Sequence, residues 1–310
     1  MLRVLSVRII FTSVLAFWTA TAAAAATPAA GRRVFRPQSY GAKGDGAHND
    51  TVAVAEAAAA TAACGQATDA RERCTLLIAG GTFLTGPVAL PSNSVITVQA
   101  GATLLAATMS QWNASGWVAS AFLIGHGLQN VTINGTGTID GNGAEWWGVT
   151  HDDLHYRPNM MALGEIVGLV IEDVLLLNSP NHNICLYDCA GVRVRRLHVQ
   201  APHDSPNTDG INIGGGSDQS IVDSHISNGD DCVSILPGGV SIKAPARAGG
   251  GQIPAGGNVV VRNLTCDGGH GISIGSIRHG YISNVTVSSV QFHGGECGCR
   301  IKTYPNNQGL

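Results

Sequence analysis

The sequence predicts an all-β protein, a parallel β-helix with a short N-terminal capping helix. A six-residue apolar template recurs along the chain, and no amphipathic pattern of helical length separates its copies. The composition points the same way. Charged residues make up 13% of the chain, against about 25% in typical soluble domains, and the 41 glycines are roughly twice the usual share. This composition excludes a coiled coil, a highly charged disordered chain and a nucleic-acid-binding protein with a basic surface.

The repeated template is the main evidence for the solenoid. Its first positions advance by 23, 27, 40 and 21 residues, which apart from the third interval is the length of one coil. A β-sandwich or an ordinary α/β fold is the alternative, but a sandwich does not predict five copies of one template. Five segments carry it: Ile171–Leu176, Val194–Val199, Ile221–Ile226, Val261–Cys266 and Ile282–Val287.

The N-terminus has the three parts of a secretory signal peptide. Arg3 and Arg8 precede a short apolar run, and the small residues Thr21–Ala26 follow it. A membrane anchor is the alternative, but the run is short for a bilayer and no second apolar segment of about 20 residues follows. We therefore expect a signal peptide over residues 1–26, a single β-helical catalytic domain over residues 27–310, and no membrane association.

Three stretches depart from the repeat. Thr51–Ala63 is rich in alanine, and we expect it to form a helix that caps the N-terminal end of the stack. Pro237–Gly257 reads as a loop inserted between coils. Gly143–Pro158 combines aromatic and polar residues, which suits either contacts with a sugar or packing of a loop on the barrel.

The eight cysteines are an even number, which in a secreted chain predicts disulfides, although spacing alone does not assign them. Cys297-Gly-Cys299 resembles half of a metal site, but no matching His/Cys pair follows it, so we expect no metal. Glycosylation sequons begin at Asn49, Asn113, Asn130, Asn134, Asn263 and Asn284.

Three carboxylates are separated by one coil length. Asp209 precedes the pair Asp230 and Asp231 by 21 or 22 residues. Residues one coil apart in a β-helix are stacked about 4.8 Å from each other. We therefore expect the three carboxylates to crowd together and the pKa of one of them to rise, which would place a protonated acid beside ionised bases.

The next two coils add a histidine and two cations. His270 is flanked by glycines, which would allow close approach of a ligand. Arg300 and Lys302 are two residues apart, so they share one face of a strand. Acids, a histidine and a cation pair in successive coils predict hydrolysis of a glycoside that carries carboxylates.

These motifs resemble those of the polygalacturonases, the pectin-degrading glycoside hydrolases of family 28. The resemblance implies a right-handed parallel β-helix of the pectin-lyase-like type, hydrolysis of α-1,4-galacturonosyl linkages with inversion, and no cofactor. The segments that carry it are Tyr40–Gly46, Gly137–Gly141, Asn207–Asp209, Gly229–Asp231, Gly269–Gly271 and Arg300–Lys302.

The resemblance also implies catalytic roles. Asp230 would be the general acid that protonates the leaving oxygen. Asp209 and Asp231 would orient and deprotonate the attacking water. His270 would support the protonation of the acid and hold substrate. These roles follow the two-carboxylate scheme of inverting enzymes.

Further residues are assigned by the same resemblance. Arg300 and Lys302 would bind the carboxylate of a galacturonate unit, and Asn207 would contact the substrate. Family usage also suggests a disulfide between Cys232 and Cys266. The partner would be pectin or polygalacturonate, bound by a monomer in the extracellular cell wall.

Two alternatives remain open at this point: a calcium-dependent polysaccharide lyase of the same architecture, and an inactive β-solenoid that binds cell-wall glycans. The segment from Phe83 to Pro87 and the stretch to Trp112 look like those of exo-acting relatives, which favours exo over endo action. The chain ends at Leu310, eight residues after Lys302, so the resemblance leads us to expect a C-terminally truncated solenoid.

Overall fold

The computed structural model describes residues 7–10, 33–67, 73–112, 120–148, 157–236, 256–275 and 282–302. They form a parallel β-helix, as predicted, in which two parallel sheets wrap three faces around one aliphatic core. One helix, α1, spans Thr51–Ala67. Single turns of 3-10 helix lie at Pro37–Tyr40, Met109–Gln111 and Gly143–Glu145.

Sheet A covers two of the faces, which join along three long strands. Its strands are β1 (Val7–Ile10), β2 (Val34–Phe35), β3 (Asp45–Asn49), β4 (Cys74–Ile78), β5 (Thr82–Thr85), β7 (Ser94–Val98), β8 (Thr103–Ala106), β10 (Gln129–Asn134), β11 (Thr138–Asp140), β13 (Val167–Glu172), β14 (Leu175–Leu177), β16 (Ala190–Arg195), β17 (His198–Gln200), β19 (Ser217–Asn228), β21 (Gly256–Gly268) and β23 (Ile282–His293).

Sheet B forms the third face, and its strands follow one another in coil order. They are β6 (Val88–Ala89), β9 (Ala121–His126), β12 (Asn159–Gly164), β15 (Ile184–Tyr187), β18 (Ile211–Gly214), β20 (Asp231–Leu236), β22 (Gly271–Gly275) and β24 (Cys299–Lys302).

The core is built from columns of aliphatic side chains, one per coil. Each buried side chain of this size contributes about 1.5–3 kcal/mol relative to an exposed one. One column runs through eight strands of sheet A and consists of Leu76, Ile96, Ile133, Ile171, Val194, Ile221, Val261 and Val287, all buried.

The third residue of each repeat turns the chain at a corner of the coil. Its φ is positive, in the left-handed region that Asn and Asp tolerate better than most other residues. This explains why the template carries a polar residue between its apolar positions. In the first four repeats the corner residues are Asp173, Arg196, Asp223 and Asn263, with φ of 65°, 48°, 52° and 52°.

The alignment of the fifth repeat was wrong. Val261 pairs with Val287, so the fifth unit is Val287–Phe292 and not Ile282–Val287. Both segments alternate apolar and polar residues, and both have a positive-φ residue at their third position, Asn284 and Ser289. Because β23 contains two matches to the template, only the pairing with β21 distinguishes them.

The predicted capping helix is confirmed and continues to Ala67. Val54, Ala57 and Ala58 bury its inner side against the first coils. The disulfide Cys64–Cys74 joins the end of the helix to β4.

The remaining cysteines divide into one further disulfide and free thiols. Cys232–Cys266 is bonded, as the family resemblance suggested. Cys185 and Cys189 are buried and free, and burial raises the pKa of Cys185 to about 12 and that of Cys189 to about 11. Cys297 and Cys299 are also free thiols.

The aromatic part of the Gly143–Pro158 stretch packs on the barrel. Trp146 is buried and meets Trp112 edge to face at 5.9 Å between ring centroids. Trp147 donates from Nε1 to the Ser179 carbonyl at 3.1 Å. Packing therefore accounts for these two rings, while residues 149–156 lie outside the described part.

Two further sequence predictions fall largely outside the described residues. The first is the signal peptide expected over residues 1–26, of which the structure describes only β1. This strand pairs in parallel with β23, so that Val7 lies opposite Val285. The insertion after β20 is the other, up to Gly256. No helix in the described part of the chain is long and apolar enough to cross a membrane.

Shortening one column residue should destabilise the whole stack. We expect Ile171→Ala to lower the free energy of unfolding by about 2–5 kcal/mol, because the rigid neighbouring coils leave a cavity. Val167→Ala on the same strand is the matched control, since Val167 is 61% exposed. It should change stability by less than about 0.5 kcal/mol. Urea denaturation followed by circular dichroism measures both, and equal effects would contradict the column as the main source of stability.

Candidate active site

The candidate residues lie where successive coils enter sheet B. Asp209 precedes β18, Asp230 and Asp231 lie at the start of β20, and His270 precedes β22. Backbone hydrogen bonds join these turns: Gly210 N donates to the Asp231 carbonyl at 2.8 Å, and His270 N to the Asp230 carbonyl at 3.0 Å. Coil stacking therefore brings together side chains that are far apart in sequence.

Asp231 is the buried centre of a charge network, with 2% of its side chain exposed. Arg300 donates to Oδ1 at 2.6 Å and Lys302 to Oδ2 at 2.7 Å. Ser273 donates to Oδ1 at 2.6 Å and accepts from Arg300 Nε at 2.7 Å. Both cations thus bind a carboxylate of the protein, a contact that the sequence did not predict. Their contact with a substrate carboxylate stays a prediction.

Asp230 has the environment of a proton donor. Burial and the negative charge of Asp209 raise the pKa of Asp230 above its ordinary value, and Asp231 adds to the rise. His270 Nδ1 lies 2.9 Å from Asp230 Oδ1, and the backbone N–H of Asp231 donates to the same oxygen at 2.7 Å. These contacts lower the pKa but do not cancel the rise.

Asp209 has the opposite electrostatic balance. Burial by itself would raise its pKa, but the positive charge of His182 and the hydrogen bonds to the carboxylate together outweigh burial and hold the pKa of Asp209 below its ordinary value. His182 Nδ1 lies 3.1 Å from Asp209 Oδ1. Asn212, on β18, adds a side-chain hydrogen bond that acts in the same direction.

Asn207 connects the acid to a buried guanidinium. Its Nδ2 donates to Asp230 Oδ2 at 3.3 Å, and its Oδ1 accepts from Arg157 at 2.6 Å. Arg157 is itself buried and also donates to the Pro206 carbonyl at 2.7 Å. Arg157 therefore fixes the amide so that its N–H groups, and not its oxygen, face Asp230.

The carboxylates are grouped less evenly than the coil spacing predicted. Asp230, Asp231 and His270 offer ligand atoms within 4.8 Å of one another. Asp209 lies outside this group and contacts His182 instead. Asp209 nevertheless lies close enough for its charge to raise the pKa of Asp230, so the three carboxylates interact as the coil interval predicted, although at unequal distances.

The glycines around His270 are required by the backbone. Gly269 and Gly271 have φ of 58° and 75°. A Cβ at Gly269 would overlap the carbonyl oxygen of Asp230, and one at Gly271 would overlap that of Gly298. Their small size lets adjacent coils approach closely, a requirement that the sequence did not predict, and their role in ligand access stays a prediction.

Sequence reasoning missed three residues of the site: His182, Arg157 and Ser273. Arg157 was noted only as part of an irregular stretch. His182 precedes Asp209 by 27 residues, the same interval as that between the second and third repeats. The coil interval that linked Asp209 to Asp231 therefore also reaches His182. It reaches Arg157 as well, which precedes Asn207 by 50 residues, or two coil lengths. Ser273 belongs to no recognisable motif, and only its contacts reveal it.

The described residues form a parallel β-helix with acids and cations on adjacent coils, and sequence comparison specifies the family. The model of the glycosyl hydrolases family 28 matches residues 69–310. The chain belongs to this family.

Curated relatives are similar over most of the chain. A polygalacturonase of Chamaecyparis obtusa is 31% identical over 295 residues, which cover 89% of this chain and 52% of that protein. An exopolygalacturonase of Zea mays is 32% identical over 276 residues, which cover 85% and 60%. The chain thus spans between half and two thirds of the length of these relatives.

A solved structure shares the fold. The polygalacturonase from Erwinia carotovora ssp. carotovora superimposes with a TM-score of 0.71 at 24% identity, over 91% of this chain and 74% of that one. The architecture is therefore the right-handed parallel β-helix that the resemblance implied.

Substituting Gly269 tests the close backbone contact. An alanine in the left-handed conformation costs about 1–2 kcal/mol of stability. We expect Gly269→Ala to destabilise the protein by more than this, because its Cβ also meets the Asp230 carbonyl oxygen. Gly127→Ala is the matched control: φ is 64° there, and no atom lies within 4 Å of the added Cβ. Thermal unfolding measures both variants, and equal losses would show that the clash is relieved without cost.

Proposed function

We propose that the chain is a polygalacturonase-type glycoside hydrolase that cleaves α-1,4-galacturonosyl linkages with inversion. The observation that carries this proposal is the opposite shift of two carboxyl groups. The pKa of Asp230 is raised and that of Asp209 is lowered. One group therefore holds a proton under conditions where the other is ionised, as an acid and a base working on one bond require.

In the proposed reaction each carboxyl group handles one proton. Asp230 gives its proton to the oxygen of the leaving sugar. Asp209 takes a proton from the water that attacks the anomeric carbon on the opposite face, so the configuration inverts. His270, bonded to Asp230 through Nδ1, holds the acid in place.

The cations select the substrate. Arg300 and Lys302 lie at the edge of the site on β24, each with more than a quarter of its side chain exposed. We propose that a galacturonate carboxylate shares them with Asp231, and that Asn207 contacts the same sugar. The relatives named polygalacturonase and exopolygalacturonase support polygalacturonate as the substrate.

We further propose that the protein acts as a secreted monomer in the cell wall and favours exo action.

A calcium-dependent lyase is the second candidate, because Asp230, Asp231 and His270 form a compact group of metal-binding side chains. Both oxygens of Asp231 already face cations of the protein, so a calcium ion would have to displace Arg300 and Lys302. This competition favours hydrolysis.

Removing the acid should remove the activity. We expect Asp230→Asn to lower the release of reducing ends from polygalacturonate at least about 100-fold, since an amide cannot donate the proton. Asp218→Asn is the control, because Asp218 is exposed and pairs only with Arg193 among the contacts described for it.

Three outcomes of this assay would contradict parts of the proposal. Equal rates in Asp230→Asn and wild type would reject the acid. A calcium-dependent, ultraviolet-absorbing product would select the lyase. No reducing ends from the wild type, with retained binding of the polymer, would select the glycan-binding solenoid.

Product sizing in the same digests addresses exo action, for which monomer alone is expected and a ladder of oligomers is the contrary result.

The pH dependence should be bell-shaped. Asp209 must be ionised, so activity should fall as pH drops through its lowered pKa. Asp230 must be protonated, so activity should also fall as pH rises through its raised pKa. Initial rates on polygalacturonate across the acidic and neutral range measure both limbs, and a rate that climbs continuously toward alkaline pH would contradict the assignment.

A further inference from the structure

His182 is an imidazole at the site to which the proposed mechanism gives no role. It lies in the turn before β15, with 19% of its side chain exposed. Its Nδ1 is buried and faces Asp209 Oδ1 at 3.1 Å. Its ring also hydrogen-bonds to the backbone of Asn207, so it spans both ends of the Asn207–Asp209 turn.

The contact between His182 and Asp209 depends on charge. Nδ1 meets the carboxylate at 3.1 Å with an unfavourable hydrogen-bond angle, so the charge of Asp209 favours the proton on His182 more than the hydrogen bond does. A neutral imidazole would gain little from such a contact. An imidazolium is attracted to a carboxylate by the Coulomb energy of two opposite charges, which depends on their separation and not on the hydrogen-bond angle.

The other titratable groups around Asp209 do not replace this charge. Arg300 and Lys302 bind Asp231, and Arg157 binds Asn207 and two carbonyls. Cys185 and Tyr187 face Asp209 from β15, but burial raises the pKa of both thiol and phenol well above neutrality, so both are uncharged.

Asp230 is the remaining titratable neighbour, and in its ionised form it also favours a proton on His182. Within the described part of the chain, His182 is therefore the cation that serves Asp209.

We propose that His182 is a positioning residue that works as an imidazolium and keeps Asp209 ionised and oriented as the base for the attacking water. This inference rests on the proposed function. It gives the two carboxyl groups separate histidines, His182 for the base and His270 for the acid.

Titration energetics agree with this role. Burial would lower the pKa of His182, but the charge of Asp209, that of Asp230 and the hydrogen bonds of the ring to Asp209 and Asn207 together outweigh burial and raise it. The imidazolium therefore persists to higher pH than in a free histidine, and it supports Asp209 throughout the acidic range in which Asp230 keeps its proton.

Histidine titration by NMR tests the charge without any substrate. The full chain is labelled with ¹⁵N-histidine, and the ring nitrogens are followed from pH 4 to pH 9. His182 is assigned by its loss in His182→Gln. We expect a titration midpoint above that of a free imidazole, about 6.5. In Asp209→Asn this midpoint should fall by about one pH unit or more, and in Asp218→Asn it should not move.

Kinetics test the effect on the base. His182→Gln keeps a hydrogen-bond donor but lacks the charge. We expect kcat on polygalacturonate to fall about tenfold or more, with KM little changed and the acidic limb of the pH profile displaced to higher pH. His198→Gln on β17, outside the site, is the matched control and should leave kcat and the profile unchanged.

Two results would overturn the inference: a His182 that titrates as an ordinary imidazole and ignores Asp209→Asn, or a His182→Gln enzyme whose activity falls equally at every pH. A wild-type protein with no activity on polygalacturonate would instead reject the proposed function. The NMR result would then still decide whether His182 and Asp209 form an ion pair.

Discussion

Hydrogen bonding between successive coils is the interaction on which the rest of this structure depends. Parallel pairing sets the coils about 4.8 Å apart and stacks equivalent residues above one another. In sheet A this register builds the aliphatic column that includes Ile171 and Val194. In sheet B it carries the turns of Asp209, Asp231 and His270 to one edge. A slip of the register by one residue would turn the core side chains outward and, at the same time, move the site residues apart.

The site depends on how buried charges are compensated. A chain with few charges has few counter-ions to offer, and each buried carboxylate needs one. Asp231 has two full cations, Arg300 and Lys302. Asp209 has His182. Asp230 has His270, but it also lies near two other carboxylates, so its pKa rises while that of Asp209 falls. Asp230 and Asp209 are chemically the same group, and their roles as acid and base follow from the unequal positive charge beside each carboxylate.

Much of the site was accessible from the sequence, because its motifs recur at the coil interval. Asp209 and Asp231 were linked by spacing alone, and Arg300 and Lys302 by their shared strand face. The same spacing reaches His182, which was overlooked because a lone histidine belongs to no motif. Arg157 precedes Asn207 by 50 residues, which is two coil lengths, so the same spacing also connects this pair. It was overlooked because Arg157 lies in an irregular stretch outside the repeated template.

The sequence by itself determined the solenoid, the capping helix and the set of coils that carry the chemistry. The solenoid and its coils follow from a template that recurs along the chain, and the helix follows from an alanine-rich segment, so both are properties of the linear sequence. The tertiary structure alone decided which of two matching segments in β23 pairs with Val261, and that Gly269 makes room for a backbone carbonyl. It also decided that Asp231 takes both cations while Asp209 takes a histidine. The physical reason is that spacing along the chain only brings the candidate residues together. The choice between two matching segments, and the choice of a counter-ion, depend on distances of a few ångströms between residues of different coils.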